Sequence, residues 1–351
     1  MNLQGDQDDL CAWLARAVHA GASDLHLSAG EPPWLRVHGT LAPLATEPID
    51  AAALQHLLKP WVDAAEGGMA ARQLQQSQAC DFALALPGLG RFRANVFVQR
   101  RGWGAVFRVI AAEVPTLASL GAPAVLADLA LRDRGLVLVC GATGCGKSTT
   151  LAAMLRHRSE QQAGHILTLE DPIEFVHASR RSLVHQREVG QHVPGFADGL
   201  RSALREDPDC ILVGELRDLD TVRLALTAAE TGHLVLATLH SASAAKAVDR
   251  LVDVFPGDEK PLVRTMLSES LQAAVYQTLC PVLDEAGGVQ GRIAAHEILL
   301  GTPAVRNLIR EGKSAQIVSV MQTSQAQGMQ TLEQSIAALS RRVRLAPDLS
   351  R

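Results

Sequence analysis

The 351-residue chain is 47% apolar and 20% charged, with a net charge of −4. At roughly 150 residues per domain it is long enough for two folded domains, and so weak an acidic balance gives no global field for a polyanion, which disfavours a dedicated nucleic-acid binder. No run approaches the ~20 apolar residues of a membrane span, and six scattered cysteines without a C-x-x-C pair argue against a structural zinc site or a disulfide framework.

The N-terminus carries Asp6, Asp8 and Asp9 where a secretory leader would be basic, so a cytoplasmic protein is expected. From Asp8 to Ala20 the spacing of Leu10, Trp13, Leu14, Ala17 and Val18 predicts an amphipathic helix. Strand-like pieces follow at 24–27, 34–38, 81–86, 91–99 and 104–110, with a helix near 51–58. Together they predict a small α+β domain over residues 1–112.

A transition rich in Ala, Leu, Pro and Gly spans 111–130, and strand–loop–helix units then repeat. The runs at 135–140, 166–169, 210–213 and 234–238 are continuously apolar, as parallel strands covered on both faces require. Helical patterns separate them at 147–157, 196–205, 219–231 and 244–254. Residues 113–351 therefore predict an α/β domain, doubly wound, with a helical tail from Pro303.

The strongest chemical signal is Gly141-Ala142-Thr143-Gly144-Cys145-Gly146-Lys147-Ser148, followed by Thr149, which fits the phosphate-binding P-loop between a strand and a helix. Its glycines let backbone N–H groups converge on phosphate oxygens, and the helix behind points its N-terminus at the same anions. Lys147 is expected to reach the β- and γ-phosphates and Ser148 to ligate Mg²⁺. Four fixed positions match by chance in about one chain in a hundred of this length.

Three further strand ends carry candidate groups. Cys210–Val213 leads to Glu215, placed to hold Mg²⁺ through water or to orient the attacking water. His165–Leu169 leads to Glu170, Asp171, Pro172 and Glu174, where a turn at Pro172 lets Glu170 and Glu174 face the phosphates; a solvated acidic turn is the plainer alternative. The strand at 234–238 is bracketed by His233 and His240, on opposite faces by alternation unless the strand ends first. In the first domain Arg91, Arg93, Arg101 and Arg108 are either solvated surface or a source of guanidinium for transition-state charge.

In combination, GATGCGKST, LEDPIEF, REDPDCILVGELRD and TGHLVLATLHSASAAKAVDRLVDVFP resemble the ATPases of type II secretion and type IV pili. In the first domain, Ser23–Pro33 and Arg36–Gly39 are similar to the family's PAS-like N-terminal domain. Ala304–Glu311 resembles the motif of the retraction ATPases of type IV pili, with Val305 in place of the usual Ile. The extra N-terminal domains and tetracysteine motif of the extension and type II branches have no counterpart in the sequence. The resemblance implies a RecA-like P-loop ATPase core, a PAS-like first domain and a homo-hexamer. It also implies ATP with Mg²⁺ as cofactors, and docking at the inner membrane on a pilus platform protein. A second retraction ATPase is admitted as a partner, and an accessory retraction ATPase is the nearer alternative. A nucleic-acid motor and a small-molecule kinase lie further off.

By the same resemblance Glu215 is the Walker B carboxylate, Glu174 the catalytic glutamate, and His233 and His240 the His-box pair. Arg93, then Arg108 and Arg101, are the arginines expected at the nucleotide. Cys145 stands where Ser is common, beside a helix N-terminus that is expected to lower its thiol pKa. The tail after Ala338 diverges from the family.

Overall fold

The computed structural model describes residues 3–110 and 113–346. The boundary expected at residue 112 and the tail from Pro347 onward lie outside those residues. Two compact units divide the chain, Met1–Ala112 and Glu113–Arg351.

In the first unit, α1 (Leu3–His19), β1 (Asp24–Ser28), β2 (Trp34–Val37), β3 (Thr40–Pro43), α2 (Ala51–Ala64), α3 (Met69–Ser77), β4 (Ala79–Leu86), β5 (Gly90–Gln99) and β6 (Gly102–Ile110) follow in order. The strands form one antiparallel sheet, ordered β3-β2-β1-β6-β5-β4. Alternation sorts each strand by face: Phe92, Ala94 and Val96 of β5 are buried, whereas Arg91 and Arg93 lie on the other side. The buried face packs with Leu10, Leu14, Leu54, Leu58 and Phe107.

The second unit adds α4 (Val125–Ala130), β7 (Gly135–Cys140), α5 (Lys147–Gln161), β8 (Gly164–Glu170), β9 (Ser182–Glu188), α6 (Phe196–Ala203), β10 (Cys210–Val213), α7 (Leu219–Glu230) and β11 (Leu234–Leu239). Then come α8 (Ala244–Asp253), α9 (Lys260–Ser270), β12 (Leu271–Leu283), β13 (Val289–Leu300), α10 (Pro303–Arg310), α11 (Ile317–Thr323) and α12 (Leu332–Ser340). Seven strands form a sheet ordered β13-β12-β7-β11-β10-β8-β9, parallel except for β13.

Helices cover both faces of this sheet, which is why β7, β10 and β11 are wholly buried and, apart from Thr238, carry no polar side chain. Val137, Val139, Leu212 and Leu236 face α4 and α5. Leu136, Leu138, Ile211 and Val235 face the opposite layer with α7, α8 and α9. Arg158, 6% exposed, ties α5 to the end of α4 by donating to the carbonyls of Ala130 and Arg132 at 3.0 and 2.9 Å. In α10, capped by Thr302, Val305 is fully buried, so the apolar site accepts Val in place of Ile. Among the described residues no helix is long and apolar enough to cross a membrane.

Candidate active site

At the carboxyl edge of the parallel sheet, β7 ends and the loop 141–146 turns the chain into α5. Two glycines are required by the geometry. Gly146 caps α5 in the left-handed region (φ 90°), which a residue with a Cβ adopts only with strain. At Gly141 a Cβ would overlap the main-chain carbonyl oxygen of Gln277. The ammonium of Lys147 lies over the loop, donating to the carbonyl oxygens of Gly141 (3.0 Å) and Ala142 (2.9 Å). Ala142, Thr143 and Gly144 are exposed, while Ser148 and Thr149 are partly exposed in the first turn of α5.

Cys145 departs from expectation. Its thiol is only 6% exposed, and burial pushes its pKa up although the Lys147 charge pulls the other way. The helix N-terminus does not win, because the sulfur packs beneath the loop beside Gly141 instead of facing solvent. Iodoacetamide is therefore expected to label Cys145 in the native protein at least about tenfold more slowly than in the denatured chain at neutral pH. Peptide mass spectrometry over a time course measures this, and equal rates would contradict it.

The neighbouring strand ends bring the carboxylates to the same edge. Glu215, two residues past β10, has a side chain 17% exposed; its Oε2 pairs with Arg217 at 2.7 Å and its Oε1 lies 3.4 Å from His240 Nε2. The hydroxyl of Thr238 donates to the Gly214 carbonyl, joining the ends of β10 and β11. Glu170 ends β8. Its Oε1 accepts from Thr168 Oγ1 at 2.6 Å and from Gln186 Nε2 at 3.1 Å. Burial raises the Glu170 pKa against those two donors. Beyond the cis Asp171–Pro172 bond, Glu174 is exposed.

The two histidines separate. Strand β11 starts after His233 and stops before His240, so they sit at opposite ends of it, roughly 20 Å apart at strand rise. His240 joins Glu215. His233 lies at the amino edge, with Nδ1 3.0 Å from the Ala228 carbonyl.

In the first unit the sheet register sets Arg93 of β5 directly opposite Arg108 of β6, and Arg108 opposite Asp24 of β1. Arg108 Nε donates to Asp24 at 2.9 Å, and Arg93 lies 3.5 Å from Asp81. Arg101 stands apart in the β5–β6 turn, paired with Glu31 at 2.6 Å. These guanidinium groups are 40–60% exposed and keep donors for an anion.

The roles of two contributors escape motif reading. Arg217 lies within the REDPDCILVGELRD run, two positions after Glu215, but its pairing with that carboxylate depends on how the chain turns there. Gln277 is a polar residue inside an apolar strand, 2% exposed. A buried amide among apolar neighbours is the one signal that could have found it.

The model of the Type II/IV secretion system protein family matches residues 7–346. The chain is 53% identical over 331 residues to the type IV pilus retraction ATPase PilT of Pseudomonas aeruginosa, covering 94% of each. It is 40% identical to the type IV pilus ATPase PilU of the same organism, over 92% of this chain and 82% of that one. A crystal structure of the pilus retraction motor PilT with bound ADP superposes with a TM-score of 0.82 at 41% identity, covering 95% of this chain and 93% of that one. With its P-loop in place and the family match running through both units, the chain belongs to the Type II/IV secretion system protein family.

Proposed function

We propose that the protein is an ATP hydrolase that drives retraction of type IV pili, working as a homo-hexameric ring on an inner-membrane platform protein. One observation carries this reading: 53% identity to a pilus retraction ATPase holds over nearly the whole chain, P-loop and arginine-bearing first unit included. Identity to the PilU ATPase is lower, 40%, which favours the main retraction role over the accessory one.

ATP is held by the loop 141–149, with Lys147 on the β- and γ-phosphates. The hard oxygen donors at this edge, the Ser148 hydroxyl and the Glu215 carboxylate, suit Mg²⁺, which takes few protein ligands beside phosphate oxygens and water. When bound, the ion neutralises charge on the β- and γ-phosphates. Glu174 orients water for in-line attack, and Glu215 with His240 lines the same edge. Arg93, Arg108 and Arg101 supply positive charge to a nucleotide, and His233 contributes from a position away from its own subunit's loop.

Expression in a Pseudomonas aeruginosa strain lacking its own PilT tests the reading. The expected result is restored twitching, together with a native mass of six copies and Mg²⁺-dependent phosphate release by the purified protein. A protein that hydrolyses ATP yet leaves the cells non-twitching would count against the pilus role. A monomer would count against the ring.

A further inference from the structure

The register of the sheet places one residue outside every nucleotide motif against the phosphate loop. Strand β12 runs beside β7 until Tyr276 meets Cys140, so Gln277 stands one step beyond, level with the start of the loop. Its amide is used at both ends. Nε2 donates to the Cys145 carbonyl at 2.7 Å, and Oε1 accepts from Thr150 Oγ1 at 2.7 Å.

The orientation of that amide is fixed, since a carbonyl only accepts and so must face Nε2. Cys145 belongs to the loop and Thr150 to the first turns of α5, so a single side chain bridges the two. The main chain of Gln277 closes on the loop as well: its carbonyl oxygen occupies the space a Cβ on Gly141 would need, and a Cβ on Gly146 would come 2.8 Å from Nε2. Thr150 is 3% exposed and Gln277 2%, so water does not reach in to replace either bond.

We propose that Gln277 is the positioning residue that holds the phosphate loop in its nucleotide-binding geometry. It bridges loop and helix from a strand of the same subunit. A loop held this way needs no ordering when phosphate arrives, whereas a released loop binds only in the fraction of time it visits the competent shape. Methionine at 277 keeps the volume but neither hydrogen bond. Glutamate keeps an acceptor for Thr150 but sets a carboxylate against the Cys145 carbonyl and adds negative charge beneath the phosphate site.

This inference rests on the reading that the loop binds nucleotide phosphates, which ADP titration of the wild-type chain checks on its own. If the wild type fails to bind ADP, that reading falls and the proposal with it. With wild-type binding in hand, Gln277→Met is expected to weaken ADP about tenfold, and Gln277→Glu more. Thr150→Val is expected to weaken it less, and Gln277→Met with Thr150→Val no more than Gln277→Met alone, because both break one bridge. Thermal melts with and without saturating ADP separate positioning from bulk stability. A positioning role shrinks the rise in Tm that ADP produces. A purely structural one lowers Tm with and without ADP by the same amount. A folded Gln277→Met protein that binds ADP within about twofold of wild type would overturn the proposal.

Discussion

Replacing Lys147 by alanine is expected to cut Mg²⁺-dependent ATP hydrolysis to below about a hundredth of wild type, the scale of losing one preorganised charge at a developing anion. The ammonium lies within 3.0 Å of two loop carbonyls, so it is already over the site where phosphate oxygens are expected and needs no large movement to meet them. The fold should tolerate its removal. Ala142 is exposed, and its carbonyl can take water in place of the ammonium. Unchanged circular dichroism with lost phosphate release is the expected pair of results, and activity above a tenth of wild type would refute the role of Lys147.

Much of this site was legible because its strands are buried on both faces. Runs such as Gly135–Cys140 and Cys210–Val213 have no polar interruption, and their ends coincide with the structure. Strand β9 gave no such signal: Ser182–Glu188 is an edge strand, with Leu183 and His185 exposed, so its sequence reads as a mixed polar segment. The β12–β13 hairpin was hidden for another reason. Its outer half runs past the end of β7, where Gln277, Thr278 and the Asp284–Gly288 turn interrupt the apolar pattern.

Side-chain pairings were less legible than the strand ends that create them. Glu215 and His240 meet because β10 and β11 are neighbours: β10 ends opposite Ala237, and the two residues beyond it carry Glu215 up to the end of β11. His233 looks like the twin of His240 in sequence, but a strand of six residues carries it to the other edge. Cys145 shows a competition that sequence position alone does not settle: the helix N-terminus favours the thiolate, and burial opposes it more strongly. The arginines follow the same logic. Arg91 and Arg93 share a face by the alternation of a single strand, but the row Arg93–Arg108–Asp24 exists only once three strands are in register.

The two glutamates flanking Asp171 and Pro172 look interchangeable in the sequence, and the structure separates them. Glu170 is fastened: one carboxylate oxygen takes the Thr168 hydroxyl and the Gln186 amide, and Gln186 also donates to the Phe175 carbonyl at 2.8 Å. That network ties β8 and β9 to the Phe175 main chain, one residue past Glu174. Glu174 is exposed and free to accept a hydrogen bond from water at a phosphate. Glu174→Gln is therefore expected to leave ATP binding near wild type and to lower turnover by about 10²–10³, within the range for a lost general base or water-orienting group. Glu170→Gln retains an acceptor for Thr168 and is expected to keep turnover within about tenfold of wild type, since its oxygen is already engaged by Thr168 and Gln186. Single-turnover phosphate release beside ATP titrations distinguishes the two. Should Glu170→Gln prove the slower enzyme, the water-orienting role would pass from Glu174 to the buried carboxylate, whose pKa burial raises.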